Sequence, residues 1–136
     1  MRYLADTSYL IDLINGDRGA IELAEELDAT GEEAELSVVS VEEYVRGIYY
    51  LYLNSDILKE KLKAAKRDVS AFEILPITYE VALKAAEIDA MLTIKGEMLS
   101  LADVLIAATA IANNLILITR NVKHFKRIPN IRMRRY

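Results

Sequence analysis

The sequence predicts an α/β fold with a mainly parallel sheet, because short apolar runs alternate with longer stretches of helical periodicity. The runs have the length of strands, whereas the stretches between them repeat apolar residues at helical spacing. Strands that alternate with helices are typical of a parallel sheet, since each helix returns the chain across the sheet. The length of 136 residues indicates one domain, which we expect to span residues 1–136.

Four apolar runs are predicted strands, and a fifth is a candidate edge strand. They lie at residues 3–5, 36–39, 74–77 and 115–119, with the candidate edge strand at 131–133.

Local signals delimit the helices between these strands. Residues 20–27 place apolar side chains on one face and precede Gly31, a residue type that ends helices. Ser40 and Glu43 form a capping-box pattern, which predicts a helix from this point to about Leu53.

Three further helices are predicted from their N-caps, which are Ser55, Thr78 and Ser100. Gly96 follows the second of them as a stop. The third, residues 101–112, is apolar on nearly every side, so we expect it at the centre of the domain.

The helix predicted over residues 41–53 is apolar or aromatic on every side beyond Arg46. A helix of this composition needs cover on all its faces, and so small a domain does not supply it. We therefore expect this helix to contact a second copy of the chain or a partner protein. The alternative is a core helix with partly exposed tyrosines.

Composition excludes several kinds of catalytic site. The chain has no cysteine, which excludes disulfides, thiolate zinc sites and cysteine nucleophiles. It has one histidine, His124, which excludes sites that need two. The five glycines form neither common phosphate-binding motif. Any chemistry must therefore rely on carboxylates and hydroxyls, together with a hard metal ion.

The charge is divided unevenly along the chain. The formal net charge is −4, made of −10 over residues 1–100 and +6 over residues 101–136. A basic end on an acidic body indicates nucleic acid as a partner, and the simpler alternative is a solvated basic terminus. Because Asp6 interrupts the apolar start and no apolar stretch reaches the ~20 residues of a spanning helix, we expect a cytoplasmic protein with no membrane partner.

Acidic and amide side chains follow the predicted strands. Asp6 directly follows the first strand and Glu43 lies four residues after the second, whereas Asp103 lies in the first turn of the central helix and Asn121 follows the fourth strand. Ligands of open α/β sheets bind beyond the carboxyl ends of the strands. Carboxylates that meet there repel one another unless a cation is present, and oxygen ligands favour Mg²⁺ or Mn²⁺.

Each of these residues also has a structural interpretation. Asp6 suits an N-cap, Glu43 completes the capping box and Asp103 suits the first turn of a helix, while the amide suits an ordinary loop. Glu42 competes with Glu43 for the second position, and Asp89 is a weaker candidate in mid-helix.

Four segments occur in an order that indicates a family. They are LADTSYLIDL (4–13), SVEEYVRG (40–47), LADVLIAATA (101–110) and LITRNVKHF (117–125). In these segments the chain resembles the PIN-domain ribonucleases, and within them the VapC-type toxins of prokaryotic toxin–antitoxin pairs. The resemblance implies a three-layer α/β/α fold around a central, mainly parallel sheet of four to five strands.

The resemblance also implies roles for the acids. Asp6 and Asp103 match direct metal ligands, and Glu43 matches the second acid of the family's metal site. Asn121 stands where many members carry a fourth acid, so we group it with these three as a catalytic candidate although it lowers the negative charge of the site. The implied metal is Mg²⁺, for which Mn²⁺ substitutes.

Further candidates surround these acids. The hydroxyls that match orienting positions of the family are those of Thr7, Ser8 and Thr119. His124 stands where many members carry Asp. The cations that follow the fourth strand are candidate contacts to RNA phosphates: Arg120, Lys123, Lys126 and Arg127.

The implied activity is hydrolysis of RNA phosphodiester bonds, with RNA as substrate, an antitoxin as protein partner and a homodimer as assembly. One alternative is a PIN-like module that binds RNA or protein without cleavage, favoured by Asn121. Another is a housekeeping RNA-processing nuclease of the same fold. An aspartyl phosphotransfer enzyme fits poorly, because Asp6-Thr7-Ser8 lacks the second aspartate of the haloacid dehalogenase motif.

Overall fold

In a computed structural model that describes all of residues 1–136, the chain forms a five-stranded parallel sheet with helices on both faces. The strands are β1 (Tyr3–Ala5), β2 (Ala34–Ser37), β3 (Ile74–Leu75), β4 (Ile116–Ile118) and β5 (Met133–Arg134). Their order across the sheet is β3-β2-β1-β4-β5, and every neighbouring pair is parallel.

Seven helices connect and cover the strands. They are α1 (Thr7–Ile14), α2 (Arg18–Thr30), α3 (Val38–Tyr52), α4 (Leu58–Val69), α5 (Tyr79–Lys95), α6 (Leu101–Ala112) and α7 (Val122–Phe125). None of these helices has both the length and the apolar character that crossing a membrane requires.

Two separate apolar clusters lie on the two faces of the sheet. Leu4 and Leu117 pack with residues of α5 and α6, whereas Ala5 and Ile118 pack with residues of α1 and α2. Successive residues of a strand point to opposite faces, so each central strand contributes to both clusters. This arrangement confirms the α/β/α fold with its parallel sheet.

The boundary between β2 and α3 differs from the prediction. The strand ends at Ser37, whose hydroxyl accepts a hydrogen bond from the Val39 amide at 3.1 Å and caps the helix. Ser40 therefore lies inside α3, and its hydroxyl contacts Thr7 instead. The predicted capping box of Ser40 and Glu43 is wrong, because an earlier serine already supplies the cap.

Other caps divide into those confirmed and those displaced. Thr78 and Ser100 cap α5 and α6 as predicted, and Gly31 and Gly96 end their helices in the left-handed conformation. Ser55 accepts a hydrogen bond from the Ile57 amide but precedes α4 by three residues, so it is not the N-cap.

Two helices, α1 and α7, have no counterpart among the helices predicted from the sequence. Asp6 is the N-cap of α1, and no side chain caps α7, which has four residues. Both helices begin immediately beyond the sheet and therefore place the residues after β1 and β4.

The chain changes direction across the sheet at β1. β1 pairs with β2 on one side and with β4 on the other, and the Asp6 amide donates to the Ile118 carbonyl at 3.0 Å. Ligands of open α/β sheets bind at such a switch point. The residues that follow β1 and β4 therefore border the expected ligand crevice.

Candidate active site

Asp6 is a buried carboxylate at this switch point, with 3% of its surface exposed. Its Oδ1 accepts a hydrogen bond from the Tyr9 amide at 2.7 Å. Burial raises the pKa of Asp6 to about 6, and the carboxylates of Asp103 and Asp12 raise it further, while the Thr119 hydroxyl and the Tyr9 amide oppose this rise. The site therefore disfavours an isolated negative charge and would favour a bound cation.

Asp103 lies in the first turn of α6 and contacts α7 through His124. Its Oδ2 lies 2.8 Å from Nε2 of His124, and both side chains are about one-third exposed. The fold thus places His124 directly beside the third predicted acid.

Glu43 is held by a hydroxyl group at the start of α1. The Thr7 hydroxyl donates to Oε1 of Glu43 at 2.6 Å and lies 2.8 Å from the Ser40 hydroxyl. Because Thr7 has one hydroxyl hydrogen and gives it to Glu43, Ser40 donates to Thr7. This chain of hydrogen bonds connects α3 to the start of α1, one residue after Asp6.

The three acids do not form a ready-made set of metal ligands. No group of three Asp, Glu, His or Cys side chains is arranged to hold a metal ion. Glu43 bonds to Thr7 and Asp103 bonds to His124, so each has a side-chain partner of its own. The expected shared ligand set is thus not assembled, although Asp6 and Asp103 are close enough to interact.

The chemistry of these donors nevertheless fits a divalent cation. The donors are carboxylate oxygens, which hard cations such as Mg²⁺ prefer. Asp6 is buried beside like charges, and a cation would offset both the burial and the repulsion.

The remaining predicted hydroxyl and amide residues fall into two groups. Thr119 is fully buried, its Oγ1 accepts a hydrogen bond from the Asn121 amide at 3.0 Å, and its hydroxyl lowers the pKa of Asp6. The Asn121 side chain forms no capping hydrogen bond. Ser8 is exposed and has no hydrogen bond to the acids. Thr7 and Thr119 therefore contact the site, whereas Ser8 does not.

Arg120 is engaged with acidic residues of the protein itself. Its guanidinium lies 2.7 Å from Asp17 and 3.6 Å from Asp12, and 4.4 Å from the centre of the Tyr136 ring. The Tyr136 hydroxyl donates to Asp12 at 2.6 Å. This network joins α1 and the N-cap of α2 to residues that follow β4 and β5.

A cationic cleft is lined in part by α7, and its lining residue His124 contacts Asp103. We name it the α7–β5 cleft; its volume is about 460 Å³, and its lining residues are Arg120, Asn121, Val122, Lys123, His124, Arg127 and Arg135. Three of the four predicted RNA contacts, Arg120, Lys123 and Arg127, thus line this cleft, whereas Lys126 lies outside it.

An apolar groove lies on the other side of the site, between α1, α3 and α4. We name it the α3–α4 groove; its volume is about 420 Å³, and the residues from α3 that line it are Glu43, Tyr44, Gly47, Ile48, Leu51 and Tyr52. Ser40 is the only fully buried residue of α3. Most of α3 is therefore partly or fully exposed, including Tyr50 and Leu51, and no part of this chain covers that face.

Sequence reasoning missed Asp12, Arg135 and the bond between His124 and Asp103. Asp12 is six residues from Asp6 and no local pattern marks it, while Arg135 lies in a basic run beyond the predicted motifs. His124 stood out as the single histidine, and its partner is set by the packing of α7 against α6.

Comparisons with known proteins agree with this arrangement. A family model described as the PIN domain matches residues 3–131. Among curated relatives, Ribonuclease VapC1 of Methanocaldococcus jannaschii is 32% identical over 99% of this chain and 87% of its own length. Ribonuclease VapC2 of Rickettsia felis is 31% identical over 96% of this chain and 95% of its own length.

A solved structure extends the likeness to three dimensions. VapBC2 from Rickettsia felis, bound to a DNA fragment from its promoter, includes a chain with a TM-score of 0.86 and 27% identity. The match covers 100% of this chain and 99% of that one.

Proposed function

The chain belongs to the PIN-domain family, and from that premise we propose that it is a divalent-metal-dependent endoribonuclease, the VapC-type toxin of a toxin–antitoxin pair. The observation that carries the proposal is the pair of carboxylates at the switch point of the sheet. Burial of Asp6, and to a smaller extent the nearby Asp103 carboxylate, raises the pKa of Asp6. Such a pair is suited to hold a divalent cation against a phosphate.

Asp6, Asp103 and Glu43 are the residues that would hold the metal, with Mg²⁺ as the expected ion and Mn²⁺ as its substitute. When bound, the ion supplies Lewis-acid polarisation of the phosphate and a lower pKa of a bound water.

The chain's own groups fix the positions of these acids. The Tyr9 amide and the Thr119 hydroxyl orient the Asp6 carboxylate, and Thr7 restrains Glu43. In the overall reaction, water adds to phosphorus and the bond to the 3′ oxygen breaks, which leaves a 5′-phosphate and a 3′-hydroxyl.

The protein partner is an antitoxin, and we assign it to the α3–α4 groove. The exposed fraction is 74% for Leu51 and 76% for Tyr50, next to apolar lining residues of the groove. An antitoxin segment that buries apolar side chains in the groove would reach Glu43, which lies in the same lining, and would block the site. The homodimer and the cytoplasmic location stay predictions.

A non-catalytic PIN-like module is the second candidate function, and Asn121 is the observation that favours it. An amide in place of an acid lowers the negative charge near the metal site. The three acids Asp6, Glu43 and Asp103 are nevertheless all present, and two of them interact, which favours the enzyme.

Cleavage of a mixed single-stranded RNA tests the function, with the Asp6→Asn variant and with Asp89→Asn as a matched control on the exposed face of α5. We expect Asp6→Asn to slow Mg²⁺-dependent cleavage by on the order of 10²–10⁴-fold, while Asp89→Asn cleaves like the parent. EDTA should stop the parent enzyme. If the parent chain shows no metal-dependent cleavage, the result supports the non-catalytic binding module instead. A separate experiment distinguishes a toxin from a housekeeping nuclease: expression of a toxin without its antitoxin should arrest growth.

A further inference from the structure

The cations of the α7–β5 cleft indicate where the RNA substrate binds, a conclusion that rests on the proposed ribonuclease function. We propose that this cleft binds a backbone phosphate of single-stranded RNA beside the bond that is cut. The cations that carry this binding are Lys123, Arg127 and Arg135. Arg135 thereby joins the RNA contacts, and Arg120 takes a different role.

The three cations have no counter-charge within the protein. None of the ion pairs of the structure includes Lys123, Arg127 or Arg135, and no carboxylate lines the cleft. Like charges gathered around one concave surface repel each other and create a positive potential. The binding of an anion such as a phosphate removes that repulsion.

Arg120 shows the contrast within the same cleft. It contacts Asp17 at 2.7 Å and Asp12 at 3.6 Å, so its charge is already offset. Asp17, Asp12 and the Tyr136 ring thus fix Arg120 at one wall of the cleft, while the other cations are available to the ligand.

The cleft is continuous with the acidic site through His124. This residue lines the cleft, and its Nε2 lies 2.8 Å from Oδ2 of Asp103. An RNA strand with its scissile phosphate at Asp6 and Asp103 that passes His124 would place a neighbouring phosphate among the free cations. The ligand is therefore a flanking phosphate of the substrate strand.

The cleft has the composition of a site that binds charge. Val122 is its one hydrophobic lining residue, and no aromatic side chain other than His124 is present to stack a base. Contacts to phosphate carry no direct information about base sequence. We therefore expect the cleft to raise affinity for RNA equally across sequences.

The test is the salt dependence of RNA binding. The probe is a short fluorescein-labelled single-stranded RNA of mixed sequence, and fluorescence anisotropy gives its Kd between about 50 and 200 mM salt in EDTA. The variants are the double change Arg127→Ala with Arg135→Ala, the corresponding double lysine variant, and Arg67→Ala as a control. Arg67 is exposed on α4, has no ion pair and lies outside the cleft.

Loss of the one phosphate contact should reduce the slope of log K against log salt by about 0.7, the value for a single contact to a single strand. The Kd of the double alanine variant should rise on the order of tenfold, KM for cleavage should rise with kcat retained, and the lysine variant should keep the parent slope. If the double alanine variant matches Arg67→Ala in both slope and Kd, the inference is wrong.

The two proposals fail separately in this design. If the double alanine variant shows the predicted change of slope but the parent chain does not cleave RNA with Mg²⁺, the proposed cleft is supported and the proposed enzyme activity is contradicted. A parent that cleaves RNA while the double alanine variant binds unchanged would contradict the cleft alone.

Discussion

The two surfaces that flank the acidic site differ in chemistry. The α3–α4 groove is lined mainly by apolar and tyrosine side chains, with Glu43 at its border with the site. The α7–β5 cleft has cations that lack counter-charges, with His124 at its border with Asp103. The acids therefore lie between a surface suited to protein and a surface suited to a polyanion.

This difference indicates how one small domain serves two partners. Apolar burial dominates the stability of protein interfaces and depends little on salt, whereas contacts to phosphate are strongly salt-dependent. Glu43 borders the α3–α4 groove, and Asp103 borders the α7–β5 cleft through His124. An antitoxin bound in the groove can therefore block catalysis without occupying the RNA cleft. A change on one side should consequently leave binding at the other side unaffected.

The largest expected effect is on the groove. A charge introduced by Ile48→Glu would be buried without a partner in the complex, so we expect antitoxin binding to weaken by about 4 kcal/mol, on the order of a thousandfold in Kd. Calorimetric titration with the cognate antitoxin measures this. Lys66→Glu, on an exposed part of α4 outside the groove, is the control.

RNA cleavage by Ile48→Glu should equal that of the parent chain. The separation of the two surfaces would be wrong if the variant lost RNA binding as much as antitoxin binding.

The next effect concerns the acids between the two surfaces. Burial raises the pKa of Asp6 from 3.8 to about 6, so the folded metal-free protein binds a proton more tightly than the unfolded chain. Its free energy of unfolding should therefore fall as the pH rises from about 4 to about 6, by about 3 kcal/mol in total. Asp6→Asn cannot ionise and should be more stable than the parent above pH ~6 by up to this amount.

Urea unfolding in EDTA at acidic and at neutral pH measures this difference, and Asp89→Asn serves as the exposed control. The two asparagine variants should differ at neutral pH and converge at about pH 4. If Asp6→Asn and the parent are equally stable at neutral pH, burial and the neighbouring carboxylates do not destabilise the ionised form of Asp6, and this prediction is wrong.

The smallest expected effect is at Gly47 in the groove. A Cβ at this position would meet no atom within 4 Å, so nothing inside the chain requires glycine in the middle of α3. Gly47→Ala should stabilise the free protein by about 1 kcal/mol, because alanine favours helix. Antitoxin binding should weaken, since the bare backbone leaves room for the partner. Thermal unfolding measures the change in stability, and the same calorimetric titration measures the change in antitoxin affinity. A variant with both higher stability and higher antitoxin affinity would contradict a close contact between the antitoxin and the backbone at Gly47.

Local patterns were sufficient to predict most of the fold. The caps at Thr78 and Ser100 and the stops at Gly31 and Gly96 depend on neighbouring residues, so the sequence displays them directly. The start of α3 was mispredicted because two serines compete as caps, and only the end of β2 decides between Ser37 and Ser40.

Only those residues of the candidate site that lie at strand ends or helix starts can be predicted from the sequence. Asp6 and Asp103 were identified because the carboxyl ends of parallel strands and the starts of helices meet there. The contact of Tyr136 with Asp12 joins residues 124 positions apart, and that of His124 with Asp103 joins residues 21 apart. Such contacts depend on tertiary packing, which no local pattern in the sequence encodes.

The most direct test of the central claim is a crystal structure with Mn²⁺, located by its anomalous scattering. We predict a divalent ion bound by carboxylate oxygens of both Asp6 and Asp103, at the switch point between β1 and β4. A structure at saturating Mn²⁺ with no ion there, and with His124 still the sole partner of Asp103, would contradict it.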